Sequence, residues 1–263
     1  MRNYLVFGDI DTRDYGIYIS GYRKQKIPQR PYEVVQVPGR FGDLLVGGNS
    51  MQNEEIRYPA FFAPVNGTYG LYATYEEAYS AFRRAMLRVT GYATLTDTYD
   101  TGHYRKAVFT GGVDIDTTQK LDAGSFELVF NAKPQRYVLP IAPPVPVFGG
   151  TGSGGDILTF VDTNGLSSEP VINIQYTGSF SFIRCNGGKS YGATIQSTPL
   201  GNLTIDSERK EIYDLEGHQL NTSVQLNRYE YPVVNMPFEQ NTAQFSISAT
   251  GVTLFINFNW FEL

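Results

Sequence analysis

Asp97, Asp100 and His103 come nearest, in type and spacing, to a reactive constellation in this chain. Carboxylates and an imidazole three residues apart can share a metal ion when a helix carries them. Here they follow a helix stop and are interrupted by Thr98 and Gly102, where Asp side chains usually close turns on their own backbone. The chain has only two histidines and no second ligand cluster, so no metal is assigned. Cys185 sits beside Asn186-Gly187-Gly188, the composition of a hairpin turn, and His218 lies in Glu216-Gly217-His218, another turn. A nucleophile elbow of the G-x-S-x-G type is missing, and Gly152-Ser153-Gly154-Gly155 has the character of a linker, not of a phosphate loop. The paired carboxylates Glu54-Glu55 and Glu76-Glu77 read as solvated faces. No catalytic residue and no cofactor follow from these residues, and the chain is read as a non-enzyme.

Sugar recognition is the other chemistry the residues allow. Aromatic rings serve as stacking platforms when Asn, Asp or Glu stand close by, and the second half offers Tyr191, Tyr213, Tyr229, Tyr231 and Trp260 with Asn227 and Asn257. Trp260 continues an apolar face, so burial is its expected fate, and packing alone consumes many tyrosines in a β-sandwich. Tyr191, Tyr229 and Tyr231 are the carbohydrate-binding candidates; the alternative function they define is a carbohydrate-binding module acting in host-surface adhesion.

The elements that must position such residues are mostly strands. The chain has 263 residues, enough for two domains that each bury a core. Nineteen Tyr and 17 Phe against one Trp, with 27 Gly, suit short strands and tight turns. A single Cys excludes an internal disulfide framework. Charged residues interrupt the short apolar runs after Met1, so no signal peptide is read there, and no run approaches the roughly 20 residues that span a bilayer. Residues 1–137 carry 16 Lys+Arg and 15 Asp+Glu, whereas residues 138–263 carry 5 and 11. Phosphate binding needs clustered Lys and Arg, so specific nucleic-acid binding is not expected.

One helix stands out. Thr74 and Glu77 form a capping box, and Ala78, Phe82, Ala85, Met86 and Val89 recur at three- and four-residue spacing as one apolar stripe. Arg83, Arg84 and Arg88 lie off the stripe near the C-terminal end, and Gly91 is read as the C-cap. A solitary helix in a β-rich chain packs its stripe on a sheet. Strands are expected over Asn3–Gly8, Tyr15–Ile19, Glu54–Val65 (with Pro59 marking an edge or a bulge), Tyr92–Leu95, His103–Val113 and Ser125–Phe130. Tyr32–Val46 reads as a hairpin with Pro38-Gly39 in the type II order. Two fates stand open for this ribbon: lying flat on its own sheet, or projecting to a partner surface.

Val138–Gly155 holds four prolines followed by five glycines and is read as a linker, stiff and then slack. Beyond it Pro170–Tyr176 alternates, Leu203–Asp206 and Glu211–Asp214 form a hairpin, and Val252, Leu254, Ile256, Phe258 and Trp260 share one face of a closing strand. The expected division is 1–137, a linker at 138–155, and a sandwich over 156–263.

In order, Asp14-Tyr15-Gly16-Ile17, Val37-Pro38-Gly39-Arg40-Phe41-Gly42-Asp43-Leu44, the helix leading into Thr90-Gly91-Tyr92, Leu95-x-Asp97-x-Tyr99-Asp100, Tyr104-Arg105-Lys106-Ala107, Phe126–Phe130 and Lys133-Pro134-Gln135 resemble the distal tail proteins of long-tailed, non-contractile bacteriophages. Glu169-Pro170, Leu203–Asp206 and the closing strand extend the resemblance across nearly the whole chain. It implies a mainly β fold: an N-terminal β-domain with one helix and a β-hairpin, then a galectin-like antiparallel β-sandwich. It implies a hexameric ring at the phage tail tip that joins the tail tube protein to the tail-associated adhesin or lysin and carries receptor-binding proteins. It also implies a virion component assembled in the host bacterial cytoplasm. On that view Val37, Pro38, Gly39, Arg40 and Phe41 are the candidates for reaching the neighbouring subunit.

Overall fold

The computed structural model describes the chain apart from residues 1, 22–23, 26–27, 40, 48–50, 112–124, 140, 142–144, 149–155, 163–164, 177–179, 187–189, 195–201, 220–224, 228–230, 232, 234–241, 250–251 and 263. The fold is mainly β with a single α-helix among the described residues. Two compact units are formed, Met1–Leu139 and Pro140–Glu262.

The first unit contains β1 (Leu5–Phe7), β2 (Ile10–Asp11), a 3-10 turn (Thr12–Tyr15), β3 (Ile17–Ile19), β4 (Lys24–Gln25), β5 (Tyr32–Val35), β6 (Leu44–Gly47), β7 (Glu54–Phe62), α1 (Tyr75–Arg88), β8 (Ala93–Asp97), β9 (His103–Gly111), β10 (Ser125–Ala132) and β11 (Arg136–Val138). Its main sheet runs β2-β1-β8-β9-β10-β7-β3, with β4 beside β7 and β11 beside β9. The spine is the antiparallel β7–β10 pair, in register from Ser125 opposite Phe61 to Ala132 opposite Glu54. Alternation dictates its faces: Ile56, Tyr58, Ala60 and Phe62 point inward with Phe126, Leu128, Phe130 and Ala132. Arg57 faces out and pairs with Glu55 and Glu127.

Pro59 marks neither a sheet edge nor a bulge of β7. It occupies the interior of the strand, with Glu127 opposite on one side. On the other side β3 pairs with residues 60–62 and β4 with residues 56–57, so Pro59 falls in the gap between two short partners. A residue lacking an N–H is tolerated where no ladder bond is demanded of it. Its carbonyl still accepts from the Ser20 amide at 2.8 Å.

Helix α1 begins as its capping residues require, with the Thr74 hydroxyl accepting from the Glu77 amide at 3.3 Å. Ala78, Phe82 and Met86 are buried on the sheet, with Ala85 and Val89 half-buried beside them. The stripe therefore packs as its spacing demands. The helix ends sooner than a cap at Gly91 would give, because Val89 already has extended backbone; Gly91, at φ +89°, lies two residues further on. Phe62 is the aromatic hinge of this core, 4.8 Å from Tyr75 and 5.3 Å from Phe126. Where the 3-10 turn meets the loop before α1, Gly70 has φ +62°, and a Cβ there would stand 2.2 Å from the Asp14 carbonyl oxygen. Only glycine allows that approach.

The second unit contains β12 (Val145–Phe148), β13 (Asp156–Asp162), β14 (Val171–Tyr176), β15 (Phe180–Asn186), β16 (Ser190–Thr194), β17 (Leu203–Asp206), β18 (Glu211–Asp214), β19 (Gln225–Asn227), β20 (Thr242–Ala249), β21 (Val252–Asn257) and β22 (Phe261–Glu262). They form two five-stranded sheets, β12-β21-β14-β17-β18 and β13-β20-β15-β16-β19, with β22 bridging to Ser167. Ile172, Ile174, Leu203, Ile205, Ile212 and Ile256 fill the core side of the first.

Two features differ from the sequence-based expectation. Val145–Phe148, inside the Pro/Gly-rich stretch, is a strand paired with β21, which an edge position permits despite Pro146. The closing strand stops at Asn257, because Asn259 adopts φ +40° and breaks the period of two. Phe258 is nonetheless buried, and Trp260 stacks on it at 4.8 Å.

Candidate functional site

The hairpin β5–β6 stands as a two-stranded sheet of its own. Its register runs from Tyr32 opposite Gly47 to Val35 opposite Leu44, leaving residues 36–43 as the loop. Gly39 has φ +82°, the positive value that the third position of a type II turn demands after Pro38. Both faces of β5 are exposed: Tyr32, Glu33, Val34 and Val35 all lie at the surface. Val34 is 56 % exposed, Leu45 64 %, and Phe41 in the loop is fully so. At the base of the ribbon the Gln52 amide donates to the Gln29 carbonyl at 2.9 Å.

A two-stranded ribbon is at best marginally stable alone in water, and contiguous exposed apolar side chains mark interaction surfaces. Of the two fates open to this segment, lying flat on its own sheet does not fit its exposure. Val37, Pro38, Gly39 and Phe41 are all surface residues of the loop, and Arg40 lies outside the described residues.

Asp97, Asp100 and His103 are brought together, but as a structural turn. The Asp97 carboxylate accepts from the amides of Tyr99 (2.8 Å) and Asp100 (3.0 Å), and its second oxygen accepts from the Tyr58 hydroxyl at 2.6 Å. The Asp100 carboxylate contacts His103 Nδ1 and Arg136, each at 2.7 Å. Burial works against its ionisation, yet hydrogen bonds from His103 and Arg136 outweigh it and hold the carboxyl below the usual range. Among the described residues no group of three or more His, Cys, Asp or Glu is placed to hold a metal ion.

Cys185 lies in β15 opposite Tyr191 of β16, so the pair flanks the hairpin turn expected there. His218 closes a turn on Asp214, whose carboxylate accepts from the amides of Glu216 and His218 and contacts His218 Nδ1 at 3.0 Å. Tyr191 is described by its backbone, Tyr229 lies outside the described residues, and Tyr231 is half-buried, which raises its phenol pKa by desolvation. These positions do not make a described aromatic platform.

Glu54 is the residue that composition misled. It is not part of a solvated face: it is 2 % exposed and ion-paired with Arg105, itself 4 % exposed. Glu76 and Glu77, by contrast, are exposed in the first turn of α1.

The mainly β architecture with one helix among the described residues is similar in fold to solved proteins of phage tails. The Dit (gp 19.1) protein of phage SPP1, described as a paradigm of the hub adsorption apparatus in phages infecting Gram-positive bacteria, matches 100 % of this chain over 99 % of its own, with a TM-score of 0.63 at 12 % identity. A chain of the phage P2 baseplate in its activated conformation with Ca matches 95 % of this chain over 99 % of its own (TM-score 0.50, 12 % identity). The corresponding chain with Sr gives a TM-score of 0.49 at 10 % identity. At such identities the likeness is one of fold. No family model matches the sequence, and no curated protein does. No described helix is long and apolar enough to cross a membrane.

Proposed function

We propose that this chain is the structural hub of a phage tail tip. Six copies close into a ring that joins the tail tube protein to the tail-associated adhesin or lysin, and the second unit carries receptor-binding proteins. The chain acts in the virion and performs no catalysis. The supporting observation is the fold correspondence with the SPP1 hub protein, which extends over 100 % of this chain and 99 % of that one. The ribbon supplies the physical means. A ring repeats one heterologous interface until rotation closes it, and an exposed apolar hairpin that projects from each copy suits such a contact. Val37, Pro38, Gly39, Arg40 and Phe41 are its contact residues.

Light scattering of the purified chain across a concentration series tests this, because mass action drives ring closure at high protein. Hexamers, with six-fold rings in electron micrographs, are expected. A chain that stays monomeric at every concentration and is missing from infectious particles would end the proposal.

A further inference from the structure

Helix α1 presents positive charge and apolar surface side by side. Tyr79, Phe82, Arg83, Met86 and Leu87 on the helix, with Phe109 of β9, line a cavity of about 340 Å³. That size is at the small end of recognition pockets, roughly 300–1,000 Å³, and suits one large apolar side chain. Phe82 and Met86 are buried in its lining, whereas Leu87 is 66 % exposed and carries the apolar surface outward.

Charge narrows the ligand. Arg83, Arg84 and Arg88 are exposed on this helix, and none makes an ion pair among the described residues. No position three or four residues from any of them is acidic, so the helix supplies no carboxylate at a neutralising distance. Arg84 and Arg88 are themselves four apart and repel each other. The helix dipole accounts for Arg88 in the last turn, but not for Arg83 beside the cavity. We propose that the groove between α1 and β9 binds an acidic polypeptide segment of a partner protein. One aromatic or aliphatic side chain of that segment enters the cavity, and carboxylates beside it meet Arg83 and Arg84. A phosphate polymer would satisfy the arginines and leave the apolar surface wet. An uncharged apolar segment would desolvate guanidiniums without pairing them. The apolar side chain is the anchor, and the carboxylates set orientation and speed encounter. The site is complete in a single copy, so it does not depend on ring closure.

The test is fluorescence anisotropy of the full chain with a labelled synthetic peptide of Asp and Glu around a central Phe-Leu pair. The peptide is expected to bind, and Arg83→Glu and Leu87→Ser are each expected to weaken binding at least about tenfold. Arg209→Glu makes the same charge change at an exposed arginine of the second unit and should leave affinity at the parent value. All three residues are exposed, so circular dichroism and thermal melting of the variants should match the parent. With p-benzoylphenylalanine in place of its Phe, the peptide should cross-link to segments holding Leu87 or Phe109. No binding, equal loss with Arg209→Glu, or cross-links confined to other surfaces overturn the assignment. So does binding as tight by a Ser-Ser version of the peptide, by duplex DNA or by phosphatidylglycerol vesicles, because charge alone would then suffice. Each of these results leaves the hub function standing, since ring assembly is measured without the peptide.

Discussion

Glu54 and Arg105 show what one residue pair contributes to this fold. Two charges sit inside the β7–β9–β10 core, where desolvation is costly and mutual attraction must offset it. Removing one partner leaves the other charge buried. Glu54→Ala is therefore expected to destabilise the first unit by about 3–5 kcal/mol, and the double variant Glu54→Leu/Arg105→Met to recover most of that loss; urea denaturation of the three chains measures both. The carboxyl of Asp100 adds a pH dependence with a definite sign. Its folded pKa is depressed by His103 and Arg136 in spite of burial, so its stabilisation is complete above pH about 4, where the unfolded Asp is ionised, and is lost as acid takes the pH lower. Melting temperatures between pH 2 and 5 should fall less steeply for Asp100→Asn than for the parent. The turn built by Asp97, Asp100 and His103 was legible in the sequence because Asp and Gly after a helix stop close on their own backbone. Burial of Glu54 was not, since carboxylate pairs are usually solvated. The available signal was parity: Glu54 falls in step with Ile56, Tyr58, Ala60 and Phe62, whereas Glu55 falls in step with Arg57.

Local periodicity decides most of the elements. Thr74, the stripe through Ala78, Phe82 and Met86, and the ribbon with Pro38-Gly39 at its turn each follow from neighbours within a few residues, as does the hairpin of β17 and β18, whose register places Asp206 opposite Glu211. What periodicity misses is set by distant partners. The interior place of Pro59 depends on where β3 and β4 stop along β7. The early end of β21 depends on the backbone of Asn259, and the last turn of the helix on how Val89 leaves it. The packing of α1 has a measurable consequence. Phe82 is fully buried and meets Tyr15 edge-on at 5.4 Å, so Phe82→Ala should cost about 3–5 kcal/mol through lost transfer energy and the cavity left behind. Thr74→Ala, which removes only the cap, should cost about 1 kcal/mol. Denaturant midpoints of the two variants should thus differ widely although both alter the same helix.

At the scale of the whole molecule the division into units matters most for how the chain can be dissected. Proline and glycine content placed a linker over residues 138–155, a reasonable inference where neither residue type packs a core. It cannot register that a strand needs only a free edge. β12 lies within that stretch and completes the sheet β12-β21-β14-β17-β18 by pairing Val145–Phe148 with Thr253–Ile256. The compact second unit accordingly begins at Pro140. Cutting at residue 156 would remove β12 and bare the edge of β21, whose unpaired amides and carbonyls and apolar sequence invite intermolecular pairing. Cutting at residue 140 keeps that edge covered. A fragment of residues 140–263 should therefore remain monodisperse in light scattering and unfold cooperatively, while residues 156–263 should aggregate or melt at a lower temperature. Equal solubility and equal melting of the two fragments would mean that β12 contributes nothing to the second unit, and that its pairing with β21 is incidental to the fold.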